Sequence, residues 1–162
     1  MAAPTATVRI TPTGRRLGSG APTYITFASN PGLDIWEDST KPPSFVLDDR
    51  KDTTTSFNTR FRSFSPGRLI TGQDITVQAG YDPDDEQDII DLIGVRDTIT
   101  VTLPSGTTIA FYGWLDAADF NDHNEDDDPM VTLTIAQANQ DWDTCLEEPP
   151  VIVAGSGTTP TC

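Results

Sequence analysis

Thr98-Ile99-Thr100-Val101-Thr102-Leu103-Pro104-Ser105-Gly106-Thr107-Thr108-Ile109-Ala110-Phe111-Tyr112-Gly113-Trp114-Leu115 is the stretch whose reading decides the fold. Polar and apolar residues alternate up to Leu103, Pro104-Ser105-Gly106 interrupts, and the alternation resumes from Thr107. Period two places successive side chains on opposite faces of a strand. A three-residue interruption closing on glycine is hairpin chemistry, with Gly106 the residue to take a positive φ. On the first arm Ile99, Val101 and Leu103 share one face while Thr98, Thr100 and Thr102 share the other; on the second, Ile109, Phe111 and Gly113 oppose Ala110, Tyr112 and Trp114. A face of threonine is too polar for a core and too rich in β-formers for a loop, which suits a strand facing water or a neighbouring subunit. Thr98, Thr100, Thr102 and Tyr112 are therefore the expected inter-subunit residues of this hairpin.

Outward from the hairpin, two further segments alternate cleanly. Ile75, Val77 and Ala79 point one way within Gln73 to Ala79, and Val131, Leu133 and Ile135 do so within Met130 to Gln137. Both read as half-buried strands. Between the first of them and the hairpin lies the one helix signal: Asp82 as N-cap, Pro83 at the first position, acids at 84–86, Ile89, Ile90, Leu92 and Ile93 at helical spacing, and Gly94 as terminator. About three turns are expected, packed on a sheet because so short a helix is marginal alone. Tyr24, Ile25 and Phe27, a turn at Asn30-Pro31-Gly32, and Leu33, Ile35 and Trp36 read as a second, short hairpin. In all, about seven strands and one helix are expected.

The rest of the chain is irregular. Met1 to Pro22 is rich in Ala, Pro, Thr and Gly, with only Val8 and Ile10 hinting at a strand, and reads as an arm; Ala138 to Cys162 reads as a tail. Glu37 to Asp52 lacks periodicity and reads as a long, partly extended loop, of the kind that in compact domains serves function or is disordered. Asp52 to Ser65 joins Thr53, Thr54 and Thr55 to Phe57, Phe61 and Phe64, interleaved with Arg60 and Arg62. Aromatic residues with arginine can stack nucleobases, but an irregular strand covering a neighbour is the reading the acidic total favours.

At 162 residues a single core suffices. No apolar run approaches the roughly 20 residues of a membrane span, and the first twenty residues hold no signal-peptide core. The net charge of −15 argues against nucleic-acid or acidic-membrane binding as the main activity. Charge is also segregated. Nine of the ten basic residues fall in Met1 to Arg68 beside six acids, whereas the remainder carries nineteen acids and Arg96 alone. In a stacked assembly, the basic surface of one copy could meet the acidic surface of the next.

The chemistry of catalysis is thin. The single histidine, His123, sits in the acidic segment Asp116 to Pro129, and no Gly-x-Ser-x-Gly elbow exists to partner it. Gly18-Ser19-Gly20 and Gly155-Ser156-Gly157 lack the lysine and the strand-to-helix setting of a phosphate loop, and read as linkers. Asp122, Asn124, Asp126 and Asp128 alternate as EF-hand ligands do. Yet Asp127 stands where glycine belongs and Leu133 where the bidentate glutamate belongs. A solvated acidic loop is the plainer reading. Cys145 and Cys162 make no CxxC pair, and with one histidine they fall short of a structural zinc site. Two unpaired thiols are expected, although a disulfide within the tail is open to them in an oxidising medium. No cofactor, metal or catalytic residue is assigned.

With these residues in view, the chain resembles the major tail-tube proteins of long-tailed bacteriophages. The likeness runs from about Asp52 to Gln140: Asp52-Thr53-Thr54, the Pro66-Gly67-Arg68-Leu69 turn, the strand into Tyr81-Asp82-Pro83, a short helix, Thr102-Leu103-Pro104-Ser105-Gly106-Thr107 before Phe111-Tyr112-Gly113, and Val131-Thr132-Leu133-Thr134-Ile135. The resemblance implies a mainly β fold, a β-sandwich or split barrel with one flanking helix, a long loop and extended termini. It divides into an arm over 1–22, a β domain over 23–140 and a tail over 141–162. It implies hexameric rings stacked in a virion tail and assembled in the host cytoplasm, with strands of every copy lining a channel through which DNA passes without specific binding. The partners implied are further copies and other tail or virion proteins, with no membrane. The loop reaching the next ring would be Trp36 through Thr55, with Trp36, Lys41, Arg50, Lys51, Thr53 and Thr54 as its contact residues and Asp126, Asp127 and Asp128 of a neighbour as their acidic partners. Two alternatives remain: a capsid decoration protein or other virion β-sandwich, and a sugar-binding adhesive domain using Trp36, Trp114 or Trp142.

Overall fold

The computed structural model describes residues 3–7, 23–123 and 125–154. The strand hint at Val8 and Ile10, the linkers at Gly18–Gly20 and Gly155–Gly157, Asn124 and Cys162 lie outside the described residues. Eleven strands and a helix follow in order: β1 (Tyr24–Phe27), β2 (Ile35–Thr40), β3 (Phe45–Leu47), β4 (Lys51–Asp52), β5 (Phe64–Ser65), β6 (Ile70–Gly72), β7 (Ile75–Tyr81), α1 (Glu86–Asp91), β8 (Asp97–Thr102), β9 (Thr108–Phe120), β10 (Met130–Gln137) and β11 (Val151–Val153). Seven of them make one antiparallel sheet in the order β1-β8-β9-β10-β7-β2, with β11 added to β9.

The deciding stretch is the β8–β9 hairpin. Val101 pairs with Ile109 and Ile99 with Phe111, Leu103 N–H closes the turn on Thr107 C=O at 2.8 Å, and Gly106 takes φ 83°. Strand β9 outruns its partner. Its first half pairs with β8 on one edge and β11 on the other, and its second half pairs with β10. Gly113 sits at the changeover, opposite both Asp97 and Gln137. A Cβ there would lie 2.3 Å from the Ala136 carbonyl oxygen, so glycine is what lets the backbones approach.

The inward faces merge into one core. Ile75, Val77, Ala79, Ile99, Val101, Phe111, Val131, Leu133 and Ile135 are all buried, joined by Ile25, Phe27, Leu33 and Ile35. The segment at 23–36 departs from the expected hairpin: β1 pairs with β8 and β2 with β7, at opposite ends of the sheet. Residues 28–34 carry the chain around a corner, and Phe27 and Leu33 stay buried on either side of it. The sheet curls until its end strands come within side-chain reach, and Ile25 N–H donates to Glu37 Oε1 at 2.9 Å. That is a split barrel.

The helix begins where its capping residues put it. Asp82, extended, accepts from Asp84 N–H at 3.0 Å and opens a 3-10 turn at Pro83–Asp85, from which α1 continues. It is shorter than three turns because the chain beyond Leu92 is claimed by the sheet: Gly94, at φ 76°, donates to Leu115 C=O at 2.9 Å, and Ile93 bridges Leu115. The buried stripe is thus Ile89 and Leu92, with Ile93 left 40% exposed.

The outer face of the hairpin is covered by the chain itself. Pro4 is buried, and Thr7 N–H donates to Thr100 Oγ1 at 3.0 Å. Trp142, from the C-terminal segment, packs on Tyr112 with ring centroids 6.0 Å apart. Residues 141–154, expected as a tail beyond the domain, supply strand β11 and the buried Asp141 and Glu148.

Candidate functional site

Residues 44–73 form an antiparallel ribbon that grows from the sheet. Gln73 N–H bonds Ser44 C=O, β3 pairs with β6, Asp48 N–H bonds Leu69 C=O, and β4 pairs with β5. Phe45, Val46, Leu47, Phe64, Leu69 and Ile70 are exposed along it. With neither face on the core, the sequence had no reason to alternate. At the break between the paired stretches, Gly67 runs so close to Asp48 that a Cβ would lie 2.5 Å from its carbonyl oxygen.

The tip is held by its own side chains. Asp52 Oδ1 accepts from Thr54 N–H at 2.8 Å, and hydrogen bonding from the Thr54 side chain first, with this backbone bond second, holds the Asp52 carboxyl below its ordinary value. Thr53 N–H donates to Ser63 C=O at 2.9 Å, and Ser63 N–H to Thr54 Oγ1 at 3.1 Å. Thr55 N–H donates to Asn58 Oδ1, while Asn58 Nδ2 donates to Phe61 C=O and Ser63 Oγ. The threonine run therefore builds a hydrogen-bonded turn. Around it Phe57 is 90% and Phe61 80% exposed.

Of the residues expected in a reaching loop, Lys41, Arg50, Lys51, Thr53 and Thr54 are exposed on or at the root of this ribbon, with the Arg50 guanidinium carbon 4.8 Å from the Phe64 ring centroid. Trp36 lies in β2 instead, half-buried, close enough to Gly80 that a Cβ there would meet its ring at 3.1 Å. Asp126, Asp127 and Asp128 are exposed between β9 and β10. Thr100 and Tyr112 are buried within the chain, so the hairpin residues open to a neighbour reduce to Thr98 and Thr102, both half-buried. Burial raises the Tyr112 hydroxyl above its ordinary value, reinforced by Asp141, Glu148 and Asp143.

A cleft that composition alone did not reveal lies at the root of the ribbon. Gly94, Arg96, Trp114, Gln137, Ala138, Gln140 and Trp142 line an open groove of about 560 Å³. Trp114 and Trp142 stand 6.4 Å apart, and the Arg96 guanidinium carbon lies 5.1 Å from the Trp142 ring centroid. Trp114 Nε1 donates to Asp116 Oδ1 at 3.3 Å. Gln137 Oε1 and Trp142 Nε1 are buried with no hydrogen-bond partner among the described residues.

His123 is exposed, its Nε2 hydrogen-bonded at 3.1 Å to the hydroxyl of buried Tyr81. Burial, with Glu86 nearby, raises Tyr81 above its ordinary value. Cys145 is a free, exposed thiol. Among the described residues no three His, Cys, Asp or Glu side chains are grouped to hold a metal, and no helix is long and apolar enough to cross a membrane.

No protein-family model and no curated protein matches this sequence. Solved structures do share its fold. A chain of the virion of the native gene transfer agent particle aligns over 85% of this chain and 100% of its own, with TM-score 0.57 and 14% identity. A chain of the sixfold-symmetrised anti-feeding prophage baseplate aligns over 95% and 98%, with TM-score 0.53 and 12% identity. A chain from the tail of the empty gene transfer agent particle, refined helically with C6 symmetry, aligns over 73% and 82% at TM-score 0.49 and 16% identity. At these identities the likeness is one of fold.

Proposed function

We propose that this protein is a non-enzymatic structural subunit of a phage-type tail, and that its copies form stacked, hexameric rings around a channel that passes DNA. The observation that carries the reading is the ribbon at 44–73. A two-stranded hairpin is marginal by itself in water. This one exposes eight large apolar side chains from Phe45 to Ile70, and apolar surface gathered on one element marks an interaction site. Its natural cover is another subunit. The fold it shares with chains of the gene transfer agent virion and the sixfold anti-feeding prophage baseplate supports assembly of that kind.

Charge supports the choice of partner. Residues 41–73 hold six cations and three acids, against Arg96 and twenty-two acids in all other described residues. A cationic ribbon is drawn to the acidic body of the next copy. Lys41, Arg50 and Lys51 are the proposed partners of Asp126, Asp127 and Asp128 across the ring stack, and Thr98 and Thr102 of contacts within a ring. An acidic channel wall would keep passing DNA from sticking.

Negative-stain electron microscopy of the concentrated, purified protein tests the function. Rings or tubes are the expected result. Monodisperse single subunits at every concentration, or binding only to preformed capsids, would overturn it.

A further inference from the structure

At the root of the ribbon one side chain stands where a backbone pairing breaks off, and we infer that this residue, Gln137, is the strut that sets the direction in which the ribbon leaves the barrel. The inference concerns a single copy and does not depend on the assembly proposed above.

Strands β10 and β7 pair in register from Met130 opposite Gly80 to Ile135 opposite Ile75. Carried on by two residues, that register would set Gln137 opposite Gln73. Strand β10 does run on, and on its other edge Gln137 still pairs with Gly113 of β9. On the ribbon side the backbone pairing stops at Ile75, and there the Gln137 side chain takes over: its Nε2 donates to the Gln73 carbonyl at 2.8 Å. A side-chain amide thus replaces the next rung of the ladder and fixes the spacing at which the ribbon peels away.

The seat is shaped for that amide. A Cβ on Gly72 would lie 2.5 Å from Gln137 Oε1 and 3.0 Å from Asn139 Nδ2, so glycine is what leaves room for both. Asn139 reaches the seat from a turn at φ 51°, in the left-handed region that asparagine enters more readily than most residues. Its N–H donates to Tyr112 C=O at 3.3 Å, and its carbonyl accepts from Glu148 N–H at 3.0 Å. The barrel and the C-terminal segment therefore hold this side of the seat.

The other side of the ribbon is unbraced. Strand β2 ends the sheet, and β3 to β6 pack chiefly on one another. Lys41 N–H bonds Thr76 C=O and Gln73 N–H bonds Ser44 C=O, but these bonds run within the β2–β7 hairpin and let it bend as a unit against the barrel. Among the described residues Gln137 is the one barrel side chain that hydrogen-bonds the ribbon. The lever is long. From Gly72 to Ser63 is nine residues, about 30 Å at roughly 3.3 Å each, so a tilt of about 10° at the root carries the tip about 5 Å.

Distances between paired spin labels test this in the full chain. In a Cys145→Ser, Cys162→Ser background, Phe61→Cys at the tip is combined with Asp119→Cys on β9 and, separately, with Asp88→Cys on α1, all three positions being exposed. Each labelled protein is diluted into an excess of unlabelled protein, so every measured pair lies within one chain. A single narrow distance is expected for each pair. Gln137→Glu keeps the shape of the side chain and removes its N–H donor, and Gly72→Ala puts a methyl group into the seat; each should shift or spread the distances by about 5 Å or more. Ile89→Ala, which opens the core beneath the helix, should leave both distances in place while it lowers stability. Distances that stay narrow and unmoved in both root variants would overturn the inference, as would a broad distribution before any root substitution or an equal spread from Ile89→Ala.

Discussion

Ile89 and Ile93 occupy the same apolar run, yet the fold treats them differently. Ile89 is fully buried under the sheet, whereas Ile93 is 40% exposed because Gly94 has left the helix to bond Leu115. Ile89→Ala should cost about 2–4 kcal/mol in denaturant unfolding, and Ile93→Ala under about 1 kcal/mol; equal costs would mean that the helix packs differently. Gly113→Ala should cost about 1–3 kcal/mol, because the new Cβ meets the Ala136 carbonyl. Asp85 adds a dependence on pH. Desolvation first, then Asp34, Asp88, Asp82 and Asp84, raise its carboxyl above the ordinary 3.8. The folded state therefore holds the proton more tightly, and the ionised form costs stability as pH rises through the folded value. Asp85→Asn should raise the melting temperature near neutrality and lose that advantage below pH 3.8; an advantage that persists in acid would place the effect elsewhere.

Elements whose signals are local were legible in sequence. The β8–β9 turn with Gly106, the alternation of β7 and β10, and the Asp82-Pro83 helix start are each written within a few residues, and the structure holds them there. What escaped depends on partners distant in the chain. The pieces at 24–27 and 35–40 look like a hairpin, but each finds a better neighbour, β8 or β7, and the turn becomes the barrel's corner. Thr100 looks solvent-facing by its chemistry, yet Thr7 and the N-terminal segment cover it. The ribbon reads in the sequence only as a long, irregular loop, because a strand pair with neither face on a core carries no period. Its basic residues give the element's own prediction. Reversing Arg50 and Lys51 to Glu should weaken stacking, and raised salt should weaken it in the unsubstituted protein, since screened surface charges lose reach. Stacking indifferent to both, measured by sedimentation, would remove the charge pairing.

At the scale of the whole molecule, two halves of different physics are joined. The barrel is an ordinary packed core with an acidic exterior, stable through Phe111, Ile135 and their neighbours. The ribbon is cationic and exposed, and its strands pack chiefly on one another. The aromatic cleft was not legible because Trp114 and Trp142 are far apart in sequence and meet only when the C-terminal segment returns across Tyr112. The central claim is that the ribbon is built to be covered by another copy. Amide hydrogen exchange across residues 44–73, compared between dilute protomer and assembled protein, tests it most directly. The account predicts rapid exchange in the protomer and strong protection on assembly; a ribbon equally open in both states would contradict it.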